Sequence, residues 1–207
     1  MTFRILITVV FIISMSAYSQ DQINLKELTQ SSVENTNLIE RWWKATKNNF
    51  SFIHETGKND LYLMGYAYHD RNTYTKEKLS ELNEGAFGLG YGRSVLNESG
   101  NSEMLYLMAH LDSHKDVQIN AGYAWLKNFK IYREIKFGLG YSAFLVSRSD
   151  FAGRFPLPFA LPMVTCDFGK VTVNGILIPK LNNGINNGNV FFIFAKFSWD
   201  RKKQATF

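Results

Sequence analysis

Short segments between residues 60 and 199 alternate large apolar residues with small ones. The large residues of two such segments are Phe87, Leu89 and Tyr91, and Phe137, Leu139 and Tyr141, separated by glycine or another small residue. Because successive side chains of a strand point to opposite faces, each segment predicts a strand with one aromatic face and one small face. A soluble sheet would solvate a polar face instead. The pattern therefore favours a membrane barrel with aromatic residues toward lipid and free volume inside.

About eight segments of this kind follow one another, a common number for a small barrel. The predicted strands are Leu61–His69, Gly85–Arg93, Met104–Asp112, Val117–Leu126, Ile135–Val146, Pro158–Phe168, Val171–Pro179 and Val190–Trp199. The longest connector, residues 70–84, is charged and predicts a mobile loop. Pairing the last strand with the first leaves no open edge, as a bilayer requires. The predicted fold is all-β, an eight-stranded antiparallel transmembrane β-barrel over residues 60–199.

A helix is predicted before the barrel, from Leu38 to Phe50. Its apolar residues recur at helical spacing, with charged residues on the other side. Trp42 and Trp43 on a basic amphipathic helix are typical of a membrane interface. A helix packed on a soluble core is the alternative, but the barrel that follows favours the interface. Residues 20–59 are therefore interpreted as a polar lead-in and an N-terminal amphipathic interfacial helix.

Residues 1–19 have the pattern of a signal peptide. Arg4 supplies a positive start, Ile5–Met15 is apolar, and Ala17-Tyr18-Ser19 is a cleavage site of the small-x-small type. The apolar stretch is shorter than the roughly 20 residues that a transmembrane helix needs, and no later segment approaches that length. We therefore expect export past an inner membrane, with residues 200–207 forming a tail beyond the last strand.

Composition adds three constraints. The 17 Phe, 10 Tyr and 4 Trp are enough to supply aromatic girdles at the two membrane interfaces. The net charge of +5, with no nucleic-acid-binding motif, predicts weak attraction to anionic lipid headgroups and no nucleic-acid partner. Cys166 is the only cysteine, so it cannot form an intramolecular disulfide, and a small apolar barrel residue is its simplest interpretation.

Two predicted strands end in residues that carry chemistry. The first ends in Tyr68-His69-Asp70, and the third ends in His110-Leu111-Asp112-Ser113-His114. In an antiparallel barrel, the ends of the first and third strands lie at the same rim. A histidine, a carboxylate and a hydroxyl group at one rim match the base, orienting group and hydroxyl of an acyl-transfer site. From spacing alone, solvated loop residues at strand ends are the alternative.

Short motifs along nearly all of the predicted barrel match one family in order and in separation. They are Leu61-Tyr62, Tyr68-His69, Tyr74 with Lys76-Glu77-Lys78, Leu105-Tyr106 with Met108-Ala109, Asp112-Ser113, Ala121-Gly122-Tyr123, Phe137-Gly138-Leu139-Gly140, Pro156-Leu157-Pro158 with Leu161-Pro162, and Asn186-Asn187-Gly188-Asn189-Val190. No single motif is specific, but together they cover most of the barrel. This part of the chain resembles the outer-membrane lipid A palmitoyltransferases, the PagP family.

The resemblance implies an enzyme that moves a palmitoyl chain from a glycerophospholipid donor to a lipid A acceptor. It places the catalytic histidine of the family on His69, and the Asp-Ser pair on Asp112 and Ser113. It implies that His69 is the general base on the acceptor hydroxyl and that Asp112 is its orienting or electrostatic partner. Ser113 is either a nucleophile or an oxyanion donor. No cofactor is implied, and no set of residues has the spacing of a metal site.

Two features of the residues agree with this function. The inward face of the last predicted strand begins with Val190, Phe192 and Phe194, which suits an acyl chain because each buried methylene contributes about 0.8 kcal/mol. Pro162 and Pro179 lie in adjacent predicted strands, where proline cannot donate to the ladder. They predict a lateral gate through which a lipid tail enters, with simple strand ends as the alternative.

The chain also departs from the family pattern. Ala124 stands where the family has a glycine at the floor of the acyl pocket, and alternation in the fourth strand places it in the lumen. Its methyl group predicts a preferred chain slightly shorter than palmitoyl, or a blurred length selectivity. His110 and His114 replace aromatic residues; they are expected to be exposed bystanders, with extra rim acids or bases as the alternative. The first two strands hold no proline, which argues against a second lateral opening.

The predicted function is acyl transfer to lipid A by a monomer or weak dimer in the outer membrane. Two alternatives stay open. One is a non-enzymatic small outer-membrane barrel that binds lipid or acts in adhesion, whose lumen would hold a polar network. The other is a lipid A deacylase, a hydrolase with similar site residues. The expected location is the outer membrane of a Gram-negative-type cell.

Overall fold

The structure, a computed structural model, describes residues 38–149, 152–181 and 186–201. The predicted signal peptide, the whole lead-in before Leu38 and residues 202–207 of the tail lie outside these residues. The elements are helix α1 (Leu38–Thr56), β1 (Lys58–His69), helix α2 (Lys76–Glu81), β2 (Gly85–Leu96), β3 (Ser102–Leu111), β4 (Val117–Tyr132), β5 (Ile135–Ser147), β6 (Leu157–Asp167), β7 (Val171–Ile178) and β8 (Val190–Trp199).

The eight strands form a closed antiparallel barrel in chain order. The last strand pairs with the first, from Asn59 opposite Trp199 to His69 opposite Val190. The predicted all-β, eight-stranded antiparallel barrel with an N-terminal helix is confirmed. Closure leaves no sheet edge around the ring, which is the condition for placing strands in lipid.

Many strand ends differ by one to three residues from the sequence-based expectation, and three parts of the chain differ by more. Helix α1 continues past Phe50 to Thr56, and β4 extends past Leu126 to Tyr132 as a long hairpin with β5. The connector between β1 and β2, expected to be a mobile loop, holds the short helix α2. Thr75 caps that helix by accepting a hydrogen bond from the backbone N–H of Lys78.

The two faces of the strands divide as the alternation predicts. Phe87, Leu89 and Tyr91 point outward and are 68%, 61% and 50% exposed, whereas Ala86 on the other face is buried. A band of exposed aromatic and aliphatic side chains on a closed barrel is costly in water and is typical of a lipid-facing surface. Nearly all the buried apolar residues line the lumen instead.

The glycines of the inward face make room for two tyrosines that extend across the lumen. A Cβ at Gly92 would lie 2.9 Å from the Tyr62 ring, and a Cβ at Gly122 would lie 2.7 Å from the Tyr106 hydroxyl oxygen. The two rings are 6.1 Å apart. The Tyr106 hydroxyl group is hydrogen-bonded to Ser142 at 2.5 Å. The space predicted by the small residues is therefore filled by neighbouring side chains at this level.

The lumen is apolar at one end and polar at the other. The end near His69 is lined mainly by apolar side chains such as Val190, Phe192 and Met108, and the buried His110 and Asn120 lie among them. The opposite end holds the buried Asp60 and Lys196, whose partners are Ser198 at 2.5 Å and Ser94 at 3.3 Å respectively. The apolar half thus lies directly beneath the predicted catalytic rim.

Helix α1 packs against the outside of β2 and β3 at the opposite rim. Asn49 donates a hydrogen bond to Glu103 at 2.8 Å, and Phe50 stacks on Tyr123 with ring centroids 5.7 Å apart. Trp43 remains 58% exposed. No helix in the described part of the chain is long and apolar enough to cross a membrane.

The β6–β7 ladder is shorter than its neighbours. It runs from Asp167 opposite Thr172 to Met163 opposite Ile176 and stops there. β6 nevertheless continues to pair with β5 as far as Leu157, and β7 continues to pair with β8 as far as Ile178. The two strands therefore separate toward the rim that carries His69.

Candidate active site

A β-bulge in β1 turns His69 into the lumen. Between Met64 and Tyr66, β1 advances two residues while β8 advances only one, so Gly65 is an extra residue relative to β8. Tyr62 and Met64 face inward before the bulge, and Ala67 and His69 face inward after it. Strict alternation from Tyr62 would have pointed the imidazole toward lipid.

The His69 imidazole contacts the Ser113 hydroxyl group. Its Nε2 atom lies 3.0 Å from Ser113 Oγ. β1 delivers the histidine from its last residue, and the tight turn between β3 and β4 delivers the serine. The Tyr74 ring packs edge-to-face with the imidazole, with centroids 5.2 Å apart. A base and a hydroxyl group thus meet at the rim, above the apolar half of the lumen.

Asp112 is buried beside this pair and shapes the turn that carries Ser113. Its Oδ1 atom accepts hydrogen bonds from the backbone N–H groups of His114 and Asp116, at 2.8 and 2.9 Å. Its Oδ2 atom lies 3.6 Å from Arg148 Nη2. This carboxylate therefore contacts the turn and Arg148. The role predicted for Asp112 as the orienting or electrostatic partner of His69 stays a prediction.

The carboxylate that faces the imidazole belongs to Glu84, which is not among the site residues predicted from the sequence. Glu84 Oε1 lies 3.5 Å from His69 Nδ1 and accepts a hydrogen bond from the His69 backbone N–H at 3.0 Å. Arg71 forms an ion pair with Glu84 through both of its terminal nitrogens. This guanidinium holds the pKa of Glu84 well below the usual range of a carboxyl group, so Glu84 is ionised at neutral pH.

The connector that carries Arg71 is tied to the loop between β7 and β8. Tyr74 donates a hydrogen bond to the Asn186 side-chain oxygen at 3.1 Å, and the Asn189 backbone N–H donates to Thr73 Oγ1 at 2.9 Å. The Asp70 backbone N–H also donates to the Asn189 carbonyl at 2.9 Å. These bonds hold the predicted mobile connector over the rim.

The expectation that His110 is an exposed bystander is wrong, because β3 points it into the lumen. Its ring stacks on Phe192 with centroids 4.9 Å apart, and its Nε2 atom lies 2.9 Å from Asn120 Nδ2. Its Nδ1 atom lies 3.0 Å from the Leu111 carbonyl oxygen. His114 is exposed, as expected.

The remaining predicted site residues lie farther along the lumen and the wall. Ala124 faces inward and is fully buried, at the level of Ser142, its partner on β5. Pro162 is exposed on β6, one residue beyond the last β6–β7 pair at Met163. Pro179 directly follows β7. Both prolines therefore border the region where β6 and β7 separate.

Comparison with known proteins decides the family. A sequence profile described as "Antimicrobial peptide resistance and lipid A acylation protein PagP" matches residues 49–196, which extend from α1 into β8. This chain belongs to the PagP family. The match includes every predicted catalytic residue as well as Glu84 and Arg71.

Relatives in the family are similar over most of their length. A protein of Bordetella pertussis strain Tohama I is 39% identical over 158 residues, 76% of this chain and 85% of the relative. A Legionella pneumophila protein is 41% identical over 161 residues, 76% of this chain and 84% of the relative. Both carry the name "Lipid A acyltransferase PagP".

The described part of this PagP-family barrel holds no cluster of metal-binding side chains. Within residues 38–149, 152–181 and 186–201, no three His, Cys, Asp or Glu side chains are grouped so as to hold a metal ion. The groups available for chemistry at the rim are the His69 imidazole, the Ser113 hydroxyl and the carboxylates of Asp112 and Glu84.

Proposed function

We propose that this protein is an acyltransferase that moves a palmitoyl or slightly shorter chain from a glycerophospholipid to lipid A. Membership of the PagP family and relatives named for lipid A acyl transfer support the reaction class and the acceptor. The observation that carries the proposal is the contact of His69 with Ser113 at the mouth of an apolar half-lumen. A base and a hydroxyl group next to an apolar channel suit an ester of a long acyl chain.

The acyl chain of the donor lies in the apolar half of the lumen in this proposal. The inward side chains there include Phe192, Met108 and Val190, and each buried methylene contributes about 0.8 kcal/mol. With the chain in the lumen, its ester carbonyl is held at the rim beside His69. The apolar half ends at the level of Tyr106, Ser142 and Ala124. These side chains limit the length of the acyl chain that the lumen can hold.

The reaction then needs one base and one oxyanion donor. His69 Nε2 takes the proton of a lipid A hydroxyl group, and the resulting oxygen attacks the ester carbonyl of the phospholipid. Ser113 donates a hydrogen bond to the negative oxygen of the tetrahedral intermediate. The carbon–oxygen bond to glycerol then breaks, and the proton on His69 passes to the departing glycerol oxygen, which leaves a lysophospholipid.

The same contact supports a two-step route in which Ser113 is the nucleophile. His69 would take the Ser113 proton, and the serine oxygen would form an ester with the acyl chain before transfer to lipid A. The two routes use the same residues and differ in whether an acyl-enzyme forms. Asp112 holds Ser113 in place in either route, through its hydrogen bonds to the turn.

The donor enters laterally between β6 and β7. The ladder between them stops at Met163, and Pro162 and Pro179 border the unpaired part. A proline has no backbone N–H, so it cannot extend the ladder toward the rim. A lipid tail in the outer leaflet would reach the apolar half-lumen through this opening.

Replacing Pro162 and Pro179 together by alanine is expected to slow phospholipid entry severalfold. The two new N–H groups can extend the ladder and narrow the opening, with little change in barrel stability. The rate of acyl transfer measured in bilayer vesicles tests this, because the donor must there enter from the membrane. Pro156→Ala, a proline just outside β6, is the matched control. Unchanged turnover in vesicles by the double variant would count against the route.

Mass spectrometry of lipid A tests the function directly. The lipid A of cells that express the protein is compared with that of cells lacking it and of cells that express His69→Ala. Transfer adds one acyl chain only with the active protein. Loss of one acyl chain would indicate a deacylase instead, and unchanged lipid A in all three strains would indicate a non-enzymatic barrel.

The outer membrane is the proposed location, since lipid A is the acceptor and the barrel has a continuous apolar exterior. The closed ring of strands buries its own edges without a partner chain. A monomer or weak dimer is therefore sufficient for the chemistry, and the site requires no residue from a second copy.

A further inference from the structure

Nδ1 of His69 is buried, and the nearest carboxylate is that of Glu84. The His69 side chain is 2% exposed and the Glu84 side chain is 20% exposed. The 3.5 Å between Nδ1 and Oε1 is slightly longer than an ordinary N–H···O hydrogen bond, and Nδ1 makes no hydrogen bond of ordinary length. Since a buried ring N–H normally finds an acceptor, a small rotation of the imidazole toward Glu84 completes the pair.

Four further contacts fix the Glu84 carboxylate in this position. Arg71 binds both of its oxygens, Tyr66 donates its hydroxyl hydrogen to Oε2, and the His69 backbone N–H donates to Oε1. Arg71 also donates to the His69 carbonyl oxygen at 2.5 Å and stacks over the Tyr68 ring. The backbone carbonyl of Glu84 accepts from the Ala67 N–H at 2.9 Å. The carboxylate is thus bound to the end of β1 rather than free in a loop.

We propose that Glu84 is a positioning residue for His69. Its carboxylate keeps the ring proton on Nδ1, so that the Nε2 lone pair faces Ser113 and the acceptor hydroxyl. When Nε2 takes a proton during transfer, the same carboxylate stabilises the positive imidazolium. This role rests on the proposed acyl-transfer function and assigns to Glu84 the contact that the sequence assigned to Asp112.

In the described part of the chain, charged and polar side chains lie on both sides of the His69 ring. Glu84 and Arg71 lie on the Nδ1 side, Ser113 lies on the Nε2 side, and Tyr74 packs against the ring. Removing the Glu84 charge leaves the Arg71 charge uncompensated beside the imidazole. The loss of the Glu84 negative charge and the unpaired Arg71 positive charge both disfavour the protonated imidazole. Because His69 must be neutral to act as a base, the acidic limb of the pH–rate profile should move to lower pH.

Glu84→Gln tests the role because it keeps the shape of the side chain and removes its charge. We expect kcat to fall by about 10²-fold or more with little change in KM, because the tautomer and the imidazolium are no longer held. We also expect the acidic limb to move to lower pH. Glu84→Asp keeps the charge and should recover part of kcat together with the wild-type acidic limb.

Glu81→Gln is the matched control, since Glu81 is an exposed carboxylate on α2 that pairs with Lys78 at 2.9 Å. It should retain the wild-type kcat and pH profile. Wild-type kcat in Glu84→Gln, or a lower kcat with an unmoved acidic limb, would overturn the positioning role while leaving the proposed function intact. A wild-type protein that transfers no acyl chain would overturn the proposed function and this role with it.

Discussion

Ser113→Ala is expected to reduce acyl transfer by about 10²–10³-fold if the hydroxyl group donates to the oxyanion. A larger loss, down to the background rate, is expected if Ser113 is the nucleophile, because no acyl-enzyme can then form. The 3.0 Å contact of Ser113 Oγ with His69 Nε2 supports both roles. The size of the loss therefore separates them, as does a search for acyl-Ser113 by mass spectrometry after a single turnover.

The measurement uses purified protein in detergent with a labelled phospholipid donor and lipid A as acceptor. Ser80→Ala is the control, since Ser80 lies on α2 at the same rim and donates to the Glu77 carbonyl within that helix. A heat-dependent shift in gel mobility, a property of folded barrels, shows that each variant is intact. Transfer at the wild-type rate by Ser113→Ala would exclude an essential role for the hydroxyl group.

Ala124→Gly is expected to move the preferred donor chain to a greater length, by roughly one methylene. The Ala124 side chain is fully buried in the lumen. It lies opposite Ser142, whose hydroxyl is bonded to Tyr106, and the Tyr106 and Tyr62 rings extend across the lumen 6.1 Å apart. Removing the methyl group of Ala124 makes room for a longer acyl chain. With alanine in place, a longer chain would overfill the pocket, which typically costs about 1–3 kcal/mol.

A series of donors that differ by single methylenes measures this shift as a change in the optimum of kcat/KM. Ala121→Gly is the matched control, because Ala121 lies on the same strand but faces outward. It carries the same loss of strand propensity without changing the lumen. An identical optimum in wild type and Ala124→Gly would mean that Ala124 is not the floor of the pocket.

The strands can be predicted from the sequence because the alternation of large and small side chains follows from the environments on the two faces of the barrel wall. A membrane barrel needs large apolar side chains outside and small ones inside, and this period of two is visible in the sequence even where each segment is short. Phe87 and Leu89 outside against Ala86 inside show the match. The long β4–β5 hairpin was missed because Lys127 and Lys130 interrupt the apolar pattern near its end.

The site was only partly predictable. Strand order alone places the ends of β1 and β3 at one rim, and it therefore brings His69 near Ser113. The direction of the imidazole depends on the bulge at Gly65, and a lone glycine among many gives no signal of where a register shifts. Glu84 gives no signal either, because its place on the imidazole depends on Arg71 and Tyr66, which lie far from it in sequence.

The contact of helix α1 with Glu103 constrains the order in which the protein assembles. Glu103 faces outward on β3, yet it is 4% exposed because Asn49 of α1, together with Asn97 and Tyr123, surrounds its carboxylate. A barrel that enters the bilayer before α1 docks presents this acidic group on its lipid-facing surface, which is unfavourable. Docking of the helix removes that penalty, so its free energy is part of the free energy of inserting the finished barrel.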